Sequence, residues 1–423
     1  IDLAAYAREH GVSACVIGGP HPMTCDTTAL QGRGVSFALA EAEVLWPAIL
    51  EDALSGELNP VYGSGGRWSE RLDPPVLVPP SRRELRRFAV PMLGVYPARG
   101  CPYRCNFCSV IQIAGRLVRS QPVETTIRSL RAARDAGVKL IMFTSDNFNK
   151  YGEARDLLEA MVAEKIRLPF FAQCDAVIDQ DEDLVALMAR AGCFQIFVGV
   201  ESFSRAALLE AGKRQNHPER YGKIVEVCRR HGISSHFSNI IGFPGDTRES
   251  ILEHLSTLRR LGPDLASFYI LTPIPGTEQY GEFLERGWIA ESNLDRYDGT
   301  CATWRHPVLT HDSLRDLLFH CYREFYMAGD VARKLLRLGR SIHDFRRRAA
   351  VSASLGNALQ SRFGALTRTH PLAGGMLRLR LDTVEDYLPY RRRVFGIDTV
   401  PLPSNLPLSE ADAALHRKAA MTG

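Results

Sequence analysis

The chain has 423 residues, of which 45% are hydrophobic and 24% charged, with a formal net charge of +4. That length accommodates two or three domains with a large core. So small a charge excess does not imply a nucleic-acid partner, and no apolar run approaches the ~20 residues that span a bilayer.

Residues 1–63 read as the latter part of an α/β domain that begins at Ile1 rather than Met. A helical stretch from Leu3 to His10 leads through Gly11 to a short strand, Ala14-Cys15-Val16-Ile17, ending in Gly18-Gly19-Pro20-His21-Pro22. A second helix is expected over 41–54, with Trp46, Ile49, Leu50 and Leu54 on one face. Two strands at most are visible, too few for a doubly wound sheet. Glycines at a strand end let a flat ligand approach the backbone. Residues 64–92, rich in Gly, Pro and Arg, read as a linker.

From 93 to about 275 strands and helices alternate. Strands are expected near 93–98, 138–145, 169–174, 194–200, 234–241 and 266–272, with helices over 122–136, 152–164, 181–191, 217–231 and 247–261. Such repetition implies parallel strands with right-handed crossovers, and chemistry at the strands' C-terminal ends. Residues 281–423 look mainly helical, with a helix over 314–326, basic runs at Arg346-Arg347-Arg348 and Arg391-Arg392-Arg393, and a loose tail marked by Pro401, Pro403 and Pro407.

Three of the ten cysteines cluster, in Cys101-Pro102-Tyr103-Arg104-Cys105-Asn106-Phe107-Cys108. The others are scattered among apolar neighbours, a reduced, cytoplasmic pattern rather than a disulfide scaffold. Three thiolates suffice for three irons of a [4Fe–4S] cluster, leaving the fourth iron open to a ligand. The alternative is a zinc site or chance proximity. The spacing, Phe107 before the third cysteine and the lead-in Arg99-Gly100 resemble the cluster motif of the radical SAM superfamily.

The resemblance implies a partial (βα)6 TIM-type barrel over 93–280, carrying the cluster on Cys101, Cys105 and Cys108 and binding S-adenosylmethionine (SAM) at its open iron. Phe107 resembles the aromatic residue that packs on the adenine. Asp146 and Asn147, after the second strand, resemble the loop that binds the SAM ammonium, although the usual Gly-Gly-Glu is absent; helix capping is the alternative. Glu201 resembles a SAM-facing residue of the fourth strand, or else forms a buried ion pair with Lys213 or Arg214. Ile240-Ile241-Gly242-Phe243-Pro244-Gly245 resembles the adenine-lining motif of the fifth strand, with Asn239 nearby and Asp246 or Thr247 capping the next helix. Glu201 and Tyr269 are the candidate catalytic residues. Gln173, Asp175, His217, His236 and Tyr280 are candidate substrate contacts, and Trp304, Arg305 and His306 a candidate closure of the barrel mouth.

Gly18-Gly19-Pro20-His21, with Glu41, Glu43 and Trp46-Pro47, resembles the end of the Rossmann-like cobalamin-binding domain that precedes many radical SAM cores, so Gly18 and Gly19 are expected to face cobalamin. Together these features resemble class B radical SAM methyltransferases. They imply methyl transfer to an unactivated carbon of a small molecule or natural-product precursor, and an electron donor such as flavodoxin or ferredoxin. Neither a membrane nor a nucleic acid is expected. A cyclase or rearrangement enzyme would share every motif, and an inactive or carrier fragment is a further reading.

Overall fold

The structure is a computed structural model and describes residues 1–422 except 73, 75, 89, 340–343 and 371–401. Its strands are β1 (Val16–Ile17), β2 (Ser36–Ala38), β3 (Val61–Tyr62), β4 (Met92–Val95), β5 (Ala98–Arg99), β6 (Arg119–Ser120), β7 (Leu140–Phe143), β8 (Phe170–Cys174), β9 (Cys193–Glu201), β10 (Ser234–Ile241) and β11 (Leu265–Ile270).

Six of these form one parallel sheet in the order β11-β10-β9-β8-β7-β4, each next to its successor among the six. Helices Val123–Ala136, Ala154–Ala163, Glu182–Ala191, Tyr221–Arg230 and Arg248–Leu261 connect the strands. The expected bounds hold to within a few residues, because apolar runs make the strands and the 3.6-residue stripe makes the helices. Helix ends follow local chemistry: Asp181 and Thr247 cap their helices, and Gly137 and Gly262 end theirs in the left-handed region.

One face of the sheet meets the helices, as where Phe237 packs on Tyr221 and Phe268 on Tyr322. The other face carries polar side chains that are nonetheless buried: Gln195 at 7% exposure, His236 at 5% and Ser267 at 3%. A flat sheet with one bare face would leave them wet. His236 sits between Gln195 (3.2 Å) and Ser267 (2.7 Å) with its ring edge-on to Phe197. At the sheet's other end, Ala349, Ala350, Val351 and Ala353 of the helix Phe345–Thr367 cover Leu140, Phe171 and Phe194.

The amino-terminal residues form a three-stranded parallel sheet, β1-β2-β3, one strand more than the sequence reading found. The helix Ala42–Ser55 buries Ile49, whereas Trp46 and Leu54 of the expected apolar face are 54% and 89% exposed. The 64–92 stretch does not run free at its start: Arg67, Trp68 and Leu72 are buried.

The carboxy-terminal tail is not loose where it is described. Asp26 N–H donates to Ser404 O (2.8 Å), Leu406 N–H to Thr24 O (2.8 Å) and Arg67 N–H to Asp412 Oδ1 (2.9 Å). Asn405 accepts from Gly276 N–H (2.7 Å) and donates to Thr277 O (3.1 Å). Pro403 and Pro407 place an extended chain whose carbonyls take bonds from Tyr280 and Arg67. Of the basic runs, Arg346 pairs with Asp344 at 2.8 Å and Arg347 lies against Gly232, so these two are packed, while Arg348 is exposed. Arg391-Arg392-Arg393 lies outside the described residues.

Candidate active site

The three cysteines lie in the segment after β5, at the C-terminal end of the sheet. Two glycines let this segment close on its neighbours. Gly100 has φ 103°, and a Cβ there would stand 2.3 Å from Leu117 O; Gly212 has φ 69°, and a Cβ would stand 2.4 Å from Arg104 O. Cys101 N–H donates to Gly115 O (3.1 Å), Asn106 N–H to Ala211 O (3.1 Å) and Gln279 N–H to Asn106 O (3.0 Å). The loops after β9 and β11 therefore grip the cysteine segment from outside.

Burial pushes the Cys101 thiol up to about 11 and Cys108 to about 12, each raised further by the neighbouring cysteines; Cys105 is raised by burial and lowered in part by Lys213. Thiols so held need a metal to become thiolates. Among the described residues no three such side chains converge closely enough to hold a single metal ion. A [4Fe–4S] cluster instead takes one thiolate per iron. Three cysteines on one pinned loop, facing a buried cation, fit that group.

The cation is Lys213. Its Nζ lies 2.5 Å from Glu201 Oε1, both side chains being about 10% exposed or less, and 5.8 Å from the Phe107 ring centroid. Burial alone would lower Lys213, but Glu201 and Cys105 more than offset it and the amine is raised. Ser238 Oγ donates to Glu201 Oε2 at 3.3 Å. The pair lies over Gly199, where a Cβ would stand 2.4 Å from Glu201 Oε1. Glu201 itself has φ 61°, a conformation that costs a non-glycine residue ~1–3 kcal/mol and collects at functional sites. The ion-pair alternative thus names its partner, Lys213 rather than Arg214.

Asp146 accepts from Gly100 N–H (2.8 Å) and Tyr96 OH (3.1 Å). It caps no helix; it ties the loop after β7 to the cysteine segment. Burial raises its carboxyl against those donors. Asn147 and Asn149 both bond Asp175, donating to its two carboxylate oxygens at 2.9 and 2.7 Å. Lys150 stands 3.7 Å from the same carboxylate. Asp175 thereby joins the ends of β7 and β8.

Asn239 spends its Nδ2 on Phe237 O (3.1 Å) and Ser267 O (3.2 Å). Gly242 has φ 80°, and a Cβ there would meet Leu314 at 2.8 Å, so packing against the helix His311–Phe325 explains this glycine. Asp246 accepts the Gly242 and Phe243 amides (2.8 and 2.9 Å), and burial pushes it up to about 6 against those donors; Thr247 is the helix cap. Phe107 meets Phe243 edge-on at 6.3 Å, beside the buried cluster of Leu271, Phe283 and Trp304. Trp304 Nε1 donates to Leu271 O at 2.9 Å, and His306 Nε2 bonds Phe243 O at 2.8 Å. Tyr269 stands against Gly299, and burial pushes its hydroxyl up to about 12. His217 is away from this group, paired with Glu219 at 3.2 Å.

The amino-terminal sheet reaches the same place. The short helix Pro20–Thr24 follows Gly18-Gly19, and Gly276, after β11, has φ 92° with room for no Cβ because Thr24 would stand 2.3 Å away. That helix also packs on the helix Val110–Ile113, just after Cys108. Gly19 has φ 93° and open space where a side chain would be, while Gly18 is in ordinary contact with Ala38. Glu41 receives a two-pronged contact from the buried Arg119 (2.6 and 3.0 Å) and a third from Arg99 (3.1 Å), which also bonds Glu43. Sequence reasoning missed this link. Its only signal was Glu41 and Glu43 beside the second helix.

Residues 95–258 match the radical SAM superfamily, so this segment is a radical SAM domain. The chain thus carries a radical SAM domain, a domain that takes a [4Fe–4S] cluster and SAM, and its relatives include proteins named methyltransferases. It is 24% identical over 397 residues to bacteriochlorophyllide d C-8(2)-methyltransferase of Chlorobaculum tepidum, covering 89% of this chain and 84% of the relative. It is 25% identical to bacteriochlorophyllide d C-12(1)-methyltransferase of the same organism, over 76% of this chain and 70% of the relative. In fold it is similar to the cobalamin-dependent SAM radical enzyme OxsB with aqua-cobalamin and SAM bound. The TM-score is 0.58 at 16% identity, covering 100% of this chain and 68% of that one. The methyltransferase TsrM from Kitasatospora setae, with tryptophan and a SAM analogue bound, gives 0.53 at 16% identity, covering 67% and 68%. Among the described residues no helix is long and apolar enough to cross a membrane.

Proposed function

We propose that the chain is a cobalamin-dependent radical SAM methyltransferase acting on an unactivated carbon of a small molecule or natural-product precursor. The observation that carries this reading is the seat of the Gly18–Thr24 turn, packed between the Gly276 backbone and the helix that follows Cys108. A flat ligand resting on Gly18 and Gly19 would thus lie next to the cysteine segment. The methyltransferase names of the two Chlorobaculum relatives support the same class of reaction.

When bound, the cluster and SAM supply one-electron chemistry and cobalamin carries the methyl group. The chain's own residues position and protect. Cys101, Cys105 and Cys108 would hold the cluster. Phe107, Asp146, Asn147, Glu201, Asn239 and Gly242 would line SAM. The Glu201–Lys213 pair keeps that wall electrically neutral while leaving carboxylate lone pairs for an ammonium. Asn239, its Nδ2 occupied, offers a ligand its Oδ1. Tyr269, with its hydroxyl near 12, stays protonated at neutral pH and so donates a hydrogen bond rather than acting as a base.

The test is anaerobic reconstitution with iron, sulfide and cobalamin, then addition of SAM carrying a labelled methyl and a reductant. Cobalamin retained through gel filtration and label found in a carbon-methylated product are the expected results. Failure to retain cobalamin overturns the reading. Accumulation of 5′-deoxyadenosine with no labelled product favours a cyclase or rearrangement enzyme instead.

A further inference from the structure

The described end of the chain runs between the Gly18–Thr24 turn and the loop after β11. Pro403 and Pro407 favour an extended run, and within it Asn405 pairs antiparallel with Cys25. Leu406 N–H donates to Thr24 O and Asp26 N–H to Ser404 O, both at 2.8 Å. The run therefore lies along the residues that end the helix Pro20–Thr24. That helix is little more than one turn and starts at Gly19: Met23 N–H donates to Gly19 O (3.4 Å), and Thr24 Oγ1 to Pro20 O (2.9 Å). Whatever holds Thr24 also holds the two glycines.

The side chain of Asn405 faces the other way, to the loop after β11. Its Oδ1 accepts from Gly276 N–H (2.7 Å) and its Nδ2 donates to Thr277 O (3.1 Å). Both partners are backbone groups, so they fix which way round the amide sits; turned over, it would set donor against donor. Gly276 is the residue whose bare Cα, at φ 92°, lets Thr24 close in. Asn405 also fits its place in length. Its Nδ2 lies 3.3 Å from where a Cβ would stand at Gly281, so a longer amide would crowd the helix Glu278–Glu285. The rest of the run has anchors of its own. Arg67 Nη2 donates to Leu406 O (2.8 Å) and Pro407 O (3.0 Å), and Tyr280 OH donates to Pro403 O (3.1 Å). These keep the run in place when the Asn405 amide is removed, and only the tie between turn and loop is lost.

We propose that Asn405 is a positioning residue for cobalamin, whose backbone holds the Gly18–Thr24 turn while its side-chain amide holds the loop after β11, so that it sets the spacing between the two. The proposal rests on the cobalamin reading above. Asn405 acts through Thr24 and Gly276 rather than by contact with the cofactor. A turn held in place before the ligand arrives spares the ordering cost of binding, and that saving appears as affinity. A tail that served stability alone would change the melting temperature without changing cobalamin affinity.

The test uses the full chain, with hydroxocobalamin as the probe in equilibrium dialysis and iron loading measured in parallel. Asn405→Ala is expected to raise the cobalamin Kd about tenfold, roughly the net worth of one hydrogen bond. It should also quicken amide hydrogen exchange over 18–26 and 276–281 in the cobalamin-free chain. Iron loading should match wild type, because the cysteine segment keeps its bonds to Gly115 O and Ala211 O. Asn405→Asp keeps the acceptor for Gly276 and loses the donor to Thr277, so its Kd should fall between the two. Tyr326→Phe is the control for stability alone. It removes a hydroxyl that bonds Ala266 N–H (3.1 Å) and Ala266 O (2.8 Å), and should lower the melting temperature with the cobalamin Kd unchanged. Equal Kd in Asn405→Ala and wild type overturns the positioning role. So does an equal rise in Tyr326→Phe, or unchanged exchange over 18–26. Wild type that binds no cobalamin sinks the cobalamin reading, and this proposal with it.

Discussion

Replacing Lys213 by Met removes the only cation paired with Glu201 among the described residues and leaves a carboxylate 9% exposed, with Ser238 Oγ at 3.3 Å as its remaining side-chain donor. Breaking a buried pair from one side costs about 3–5 kcal/mol, most of it the unpaired charge. Glu201→Gln is expected to cost a similar amount, since it strands the ammonium. The double variant buries two neutral groups, so its loss should fall short of the summed single losses by at least about 1 kcal/mol. Lys213 is raised above its usual 10.5, so its contribution is fully present below that pH and is lost as pH rises through the higher folded value. The assay is urea denaturation of the reconstituted protein followed by tryptophan fluorescence, at neutral pH and above pH 10. Single variants that each lose under about 1 kcal/mol, with losses that simply add, would refute the reasoning.

Three further outcomes are expected. Gly100→Ala puts a Cβ 2.3 Å from the Leu117 carbonyl at φ 103°, so bound iron per chain should drop well below wild type on reconstitution; undiminished iron would show that the segment closes without that glycine. Glu41→Ala strands Arg119, whose side chain is 2% exposed, and should destabilise by about 3–5 kcal/mol and make the segment near Arg67 more susceptible to limited proteolysis. Asp246 is held near 6 against an ordinary 3.8, so it favours the folded state below pH ~4 and loses that contribution as pH rises to ~6. In Asp246→Asn the melting temperature should lose that pH dependence, with a gain of up to about 3 kcal/mol at pH 7 if the amide keeps the Gly242 bond; an unchanged pH profile would count against it.

The strand–helix repeat was legible because each unit carries its own periodicity and its own end signals, down to Thr247 as a cap. The cysteine segment was legible because its three ligands lie within eight residues. The helix 42–55 marks where such reading stops. Its spacing declares an apolar face, but spacing does not say what packs on it, and Trp46 and Leu54 remain exposed. Contacts between distant residues leave no periodic trace. Glu41 meets Arg119 from 78 residues away, Asn405 meets Gly276 from 129 away, and Asp175 gathers Asn147 and Asn149. Gly242 shows the opposite case, since a glycine at a motif position has a packing reason in Leu314.

Iron content after anaerobic reconstitution, measured on wild type and on Cys105→Ala, tests the central claim most directly. Wild type is expected to hold about four irons per chain with broad iron–sulfur absorption, and the variant to lose both. Wild-type protein without iron–sulfur absorption, or a variant that loads iron as fully as wild type, would contradict it.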